Sequence, residues 1–151
     1  MGKSNPQSDF QSEAESQKTL IHLPGSGRNY VMGPMRSVFL ADGPETNDRY
    51  CVSEWWLDAQ SDGPGPHCHE EHEELFYVIE GVMSFLVGDE SLDAPKGTFI
   101  RIPPNVMHDF MNKSKARAGV LNFYMPGGFE EKMPSLVQWY EQHNQQNRDS
   151  Q

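Results

Sequence analysis

The stretch His67-Cys68-His69-Glu70-Glu71-His72-Glu73-Glu74-Leu75-Phe76-Tyr77-Val78-Ile79 changes character midway, from two histidines one residue apart, through an acidic run, to an apolar strand pattern. On an extended chain, residues two apart share a face. His67 and His69 therefore project together on a strand, and Cys68 points away. Glu74 lies five residues past His69, and on one uninterrupted strand that odd separation would put it on the opposite face. The run Glu70-Glu71-His72-Glu73 is accordingly read as a connection. A new strand starts near Glu74, carries Glu74, Phe76 and Val78 on its inner face, and ends in a turn at Gly81.

A second segment supplies another histidine. Gly97 follows Pro95-Lys96 in a turn, Phe99 to Ile102 reads as a strand, and Pro103-Pro104-Asn105 interrupts it. The strand then resumes from Val106 to Asn112, with His108, Phe110 and Asn112 facing one side. His67, His69, Glu74 and His108 are thereby candidate ligands to a single divalent ion inside a β-barrel.

The spacings resemble those of a known family. Histidine, one residue, histidine, four residues, glutamate, six residues, glycine is met by His67, His69, Glu74 and Gly81. Glycine, five residues, proline, four residues, histidine, three residues, asparagine is met by Gly97, Pro103, His108 and Asn112. Together these resemble the two motifs of the cupin superfamily, in particular quercetin dioxygenase-like proteins. The resemblance implies an all-β, antiparallel jelly-roll barrel in which those three histidines and Glu74 bind the metal. Two positions depart from the pattern. Ser61 stands where a glycine often precedes the first histidine, with Gly63 and Gly65 nearby, and Asn105 replaces the glycine after the second-motif proline. Neither is a ligand, and asparagine tolerates a left-handed turn.

Other readings of these residues are weaker. A chance arrangement would need half of the chain's six histidines to fit the pattern by accident. A helical zinc-protease site needs histidines four apart with a glutamate beside the first, whereas His69 and His72 are three apart. His72 is read as a loop residue, and His22 and His143 as surface residues. Cys51 and Cys68 lack metal-binding or disulfide-framework spacing. Asn112-Lys113-Ser114 satisfies the glycosylation sequon and is read as a turn.

The 151 residues suit one domain, and a formal net charge of −10 disfavours nucleic acid and anionic membranes as partners. No apolar run reaches membrane-spanning length and Met1 to Lys18 is too polar for a signal peptide, so a cytoplasmic location is expected. Residues 1–20 read as a flexible polar arm, 21–126 as the barrel, and 127–151 as a C-terminal helical segment and tail. Strands are expected at Tyr50 to Leu57, Leu75 to Ile79, Val82 to Val87, Phe99 to Ile102, Val106 to Met111 and Ala118 to Met125, with a further one around Tyr30 to Leu40. A helix is expected from Ser135, as N-cap, to about Asn147, with Leu136, Val137 and Tyr140 on its apolar side.

Three neutral imidazoles and one carboxylate leave a divalent ion with a formal charge of about +1 and, in an octahedron, two open positions. The donors suit one iron, manganese, nickel, cobalt or copper ion per chain, and zinc also fits. Phe76, Val78 and Phe110, with Trp56 or Phe123, are candidate pocket residues for an aromatic or apolar substrate. The family resemblance adds Glu74 as a candidate proton acceptor and a homodimer as the expected assembly. The leading expectation is a metal-dependent dioxygenase-like oxidoreductase acting on a small enolisable or aromatic compound. The alternatives are a non-redox isomerase or lyase and a non-catalytic small-molecule-binding protein.

Overall fold

A computed structural model describes residues 15–149, with side chains described through residue 144. Most of the expected N-terminal arm, residues 1–14, therefore lies outside the described residues. Among these are nine strands: β1 Arg28–Met32, β2 Met35–Ala41, β3 Cys51–Leu57, β4 Glu73–Glu80, β5 Val82–Val87, β6 Glu90–Pro95, β7 Phe99–Ile102, β8 His108–Met111 and β9 Ala118–Met125. They pair antiparallel into a six-stranded sheet, ordered β1-β2-β3-β9-β4-β7, and a three-stranded sheet, ordered β6-β5-β8. The two sheets form an antiparallel jelly-roll β-barrel.

Side-chain parity explains the core. Along β3 buried and half-buried residues alternate strictly, and β4 buries Glu74, Phe76 and Val78 while exposing Tyr77. The inward residues of both sheets, including Phe39, Leu57, Phe76, Phe85, Ile102 and Val120, form one apolar cluster. The strand β9 is central because it pairs with β3 on one side and β4 on the other. Gly81 turns β4 into β5 at φ +67°, and a Cβ there would lie 2.5 Å from the Arg117 carbonyl oxygen, so only glycine fits.

The strand β6 was not anticipated. Its sequence, ESLDAP, buries Ala94 alone, so it shows little apolar alternation and owes its place to backbone pairing with β5 at the sheet edge. The C-terminal helix α1 spans Met133–Asp149 and follows directly from a 3₁₀ turn, Phe129–Lys132. Ser135 is thus inside the first turn and is not the N-cap. Pro134, whose missing N–H costs nothing in a first turn, also favours the earlier start. Met133 is fully buried, and Val137 and Tyr140 pack against the core at helical spacing. Leu136, expected on that face, is 39% exposed.

Candidate metal centre

Four side chains from three chain segments meet at one end of the barrel. His67 and His69 come from the extended segment before β4, Glu74 from β4, and His108 from the first position of β8. The two early histidines are not on a regular strand. His67 instead makes an isolated antiparallel bridge with His108, its N–H donating to the His108 carbonyl at 2.9 Å and its carbonyl accepting from His108 N–H at 2.8 Å. Cys68 is exposed between them, as the alternation requires.

Close packing holds the segment there. A Cβ on Gly63 would lie 1.8 Å from the Phe110 carbonyl oxygen, so the chain crosses β8 at a distance only glycine allows. Two residues on, Gly65 N–H donates to buried Asp109 Oδ1 at 3.0 Å. Burial pushes the Asp109 carboxyl upward, against the opposing effect of its bonds from Phe110 and Gly65 N–H. Asn105, at φ 66°, donates its N–H to the His69 carbonyl at 2.8 Å. It thus supplies the left-handed turn that glycine would otherwise provide. Asn112 donates to the carbonyls of Leu57, Asp58 and Ala116 and accepts from Ser114, so it is a buried turn-builder.

One ligand atom from each of His67, His69, Glu74 and His108 lies within 4.8 Å of the others. Hydrogen bonds set the ring protons. His67 Nδ1 faces the Gly65 carbonyl at 2.7 Å, which can only accept. The proton is therefore assigned to Nδ1, leaving the Nε2 lone pair for a metal. His108 Nδ1 faces the Val106 carbonyl at 2.8 Å and its Nε2 faces Glu74 Oε2 at 2.7 Å. With acceptors on both sides, the protonated form of this ring is favoured in the metal-free protein. Burial opposes that charge, but the bonds to Glu74 and Val106 outweigh it, and the net shift of the His108 pKa is upward.

His69 behaves oppositely. Its pKa is pushed down to about 4, chiefly by burial and further by the neighbouring His67 and His108, despite the attraction of Glu74. Its Nε2 is buried without a hydrogen-bond partner and lies 3.6 Å from Glu74 Oε1. A buried polar atom left unpaired costs about 1–3 kcal/mol, and coordination to a cation would satisfy it. The donors therefore fit a divalent ion, which His67, His69, Glu74 and His108 would hold.

The surroundings refine the sequence reading. A small cavity beside the donors is lined by Phe76 and Phe110, as expected, together with Trp55, Pro64, Asn122 and Phe129. Val78 is completely buried in the core and does not line it. Trp56 and Phe123 also lie elsewhere: their neighbours Trp55 and Tyr124 are the inward residues of β3 and β9. Trp56 instead lies under the Arg117 guanidinium, 4.4 Å from its ring centre. Tyr124 packs edge-on to His69 and stacks on His72 at 4.2 Å, which gives the loop residue His72 a fixed place at the rim. Burial raises the Tyr124 hydroxyl to about 12, so it stays protonated. His22 is half-buried and bonded to the Leu40 carbonyl at 2.8 Å, so it is not a free surface residue, whereas His143 is exposed.

Among the described residues, no helix is long and apolar enough to cross a membrane. The Cupin domain family (Cupin_2) matches residues 55–124. The chain is 29% identical over 126 residues to quercetin 2,3-dioxygenase of Bacillus subtilis, covering 79% of this chain but only 35% of that protein. KdgF from Halomonas sp. superposes with a TM-score of 0.66 at 16% identity, covering 76% of this chain and 99% of that one. An RmlC-like cupin from Shewanella frigidimarina gives 0.64 at 18% identity, covering 76% and 97%. The solved structures share the barrel fold, and the family match together with the two motifs identifies residues 55–124 as a cupin domain.

Proposed function

We propose that the chain is a metal-dependent enzyme of the dioxygenase type, an oxidoreductase acting on a small enolisable or aromatic compound. The observation that carries this reading is the donor set itself: His67, His69, Glu74 and His108 with their ligand atoms within 4.8 Å, one of them a buried nitrogen without a partner. The likeness to a protein named quercetin 2,3-dioxygenase supports the reaction class, although this chain spans about a third of that protein's length (35%). Bound there, iron, manganese, nickel, cobalt or copper would supply electron transfer and polarisation of an oxygen donor, and zinc polarisation alone.

The chain's own residues have distinct roles in this reading. Glu74, 5% exposed, is the group positioned to take a proton from substrate, as a carboxylate at the wall of the cavity. His67 and His108 are held in orientation by the carbonyls of Gly65 and Val106. Trp55, Phe76, Phe110 and Phe129 line the cavity and give it apolar walls. The test is elemental analysis of untagged protein and of His69→Ala, followed by oxygen-uptake assays over a panel of enolisable and aromatic compounds. About one redox-active metal per chain, lost in the variant, and oxygen uptake that the variant abolishes are expected. No oxygen uptake with any metal across the panel would refute the dioxygenase reading.

The pairing of Glu74 with His108 at 2.7 Å favours a second reading. Two groups able to exchange a proton at one site suit isomerisation or elimination without oxygen. Turnover under strict anaerobiosis would select it, and ligand recovered unchanged after tight binding would point to a non-catalytic binding protein.

A further inference from the structure

Two spaces of very different size share walls beside the metal centre. The inner one, whose lining includes His67, Glu74, Phe76, Phe110 and Phe129, has a volume of about 30 Å³. That is roughly the volume one water occupies in the liquid. It accommodates a water or a diatomic molecule and no ring compound. The outer one is a groove of about 730 Å³ that none of the four donors lines, and it shares with the inner space the walls Trp55, Pro64 and Phe129. Its size falls in the range of small-molecule pockets, roughly 300–1,000 Å³.

The groove lies between helix α1, the segment after β3 and the turn joining β1 to β2. Its apolar walls include Met32, Met35, Leu136 and Trp139, the last 57% exposed on the helix. Asp58 and Asp62 line its other side, and among the described residues no lysine, arginine or histidine does. A body carrying negative charge would meet two carboxylates there with no counter-charge in the groove wall. Phe129 separates the two spaces, its ring 6.5 Å from His69 and 6.1 Å from Trp55.

We propose that this groove holds the body of the substrate, a flat uncharged apolar compound, while only its donor edge passes Phe129 toward the metal centre. The idea that this ligand is a substrate rests on the function proposed above; binding in the groove does not. Two dyes with the same ring system separate the contributions. N-phenyl-1-naphthylamine is uncharged, and 1-anilinonaphthalene-8-sulfonate adds one sulfonate. Titrated by fluorescence into the full-length protein, the uncharged dye should bind saturably and at least ten-fold more tightly than the sulfonate. Trp139→Ala should weaken the uncharged dye at least five-fold, and the double variant Asp58→Asn/Asp62→Asn should tighten the sulfonate at least three-fold while leaving the uncharged dye unchanged. All these side chains are exposed, so the variants should fold, which circular dichroism checks. Equal affinity for the two dyes, an unaffected uncharged dye in Trp139→Ala, or an unchanged ratio in the aspartate variant would each overturn the proposal. His69→Ala should bind the dye like the parent. Dye binding without metal or turnover would thus sink only the enzymatic reading, and metal-dependent turnover with no response to Trp139→Ala would sink only the groove.

Discussion

Gly63→Ala tests whether backbone packing, as much as the ligands themselves, builds the metal centre. The added Cβ would sit 1.8 Å from the Phe110 carbonyl oxygen and 3.0 Å from its carbon, where ordinary contact begins at 3.4 Å. Either this segment or β8 must therefore move by about 1.6 Å, the difference between 3.4 and 1.8 Å. The obstacle is main chain, which cannot swing aside as a flexible side chain would. Gly63 is outside the left-handed φ region, so alanine by itself would stabilise by about 0.4–1 kcal/mol through the unfolded chain. Overpacking of about 1–3 kcal/mol opposes and exceeds that. The displaced segment carries the Gly65 bond to Asp109 and the bridge from His67 to His108, and metal sites tolerate only about 0.2 Å in ligand distance. Metal affinity should fall at least 10–100-fold, the cost typical of losing a group that orients a ligand, although no ligand is altered. Calorimetric metal titration of Gly63→Ala, with thermal unfolding alongside, measures both effects. Gly65→Ala is the contrast: its φ of +91° strains any side chain, but no atom lies within 4 Å. It should cost about 1–2 kcal/mol of stability with a smaller loss of metal. If Gly63→Ala binds metal with parental affinity, the crossing over β8 does not position His67 and the reasoning fails.

Further outcomes are expected. His69→Ala should lose metal while the metal-free protein folds normally; retention of one equivalent would exclude His69 as a ligand. In metal-free protein, the His69 pKa of about 4 lies below the unfolded value of about 6.5. The unfolded chain then binds the extra proton between those values, so the His69 contribution is complete above pH 6.5 and lost as pH falls toward 4. Urea midpoints at pH 4.5, 5.5 and 6.5 should drop less in His69→Ala than in the parent, and parallel profiles would contradict this. His108 has the opposite sign: its pKa is raised, so its contribution holds below about 6.5 and fades as pH rises through the folded value, and metal must displace its proton. Metal affinity should accordingly weaken below neutrality with proton release on binding; calorimetry in buffers of different ionisation enthalpy reads that release, and none at pH 6 would refute it. Asp42, 4% exposed, accepts from Gly128 and Glu130 N–H at 2.7 and 2.8 Å. Asp42→Ala should cost about 1–3 kcal/mol, and an unchanged melting temperature would show that these amides find other partners.

The sequence alone singled out the four residues that the fold brings together. An imidazole or carboxylate at fixed spacing around turn residues is a local property, and strand parity carries it to a shared face: Glu74, Phe76 and Val78 all turn inward as their two-residue period requires. The same rule places Cys68 outside, and Asn105 in the left-handed turn shows that turn chemistry is local too. Parity without a reference point left Trp55 and Tyr124 unrecognised in favour of Trp56 and Phe123, because two adjacent candidates differ only in which face meets the second sheet. Val78 shares the Glu74 face but lies deeper in the core, a depth that spacing does not encode. The strand β6 escaped because its stability comes from a partner strand and not from its own apolar pattern. What only the tertiary structure decided is how the pieces touch: Gly63 passing over Phe110, Phe129 arriving from a 3₁₀ turn more than fifty residues after His69, and α1 closing one side of a groove. These contacts join residues far apart in the chain, and their geometry is set by how two sheets and a helix pack, which no short window of sequence contains.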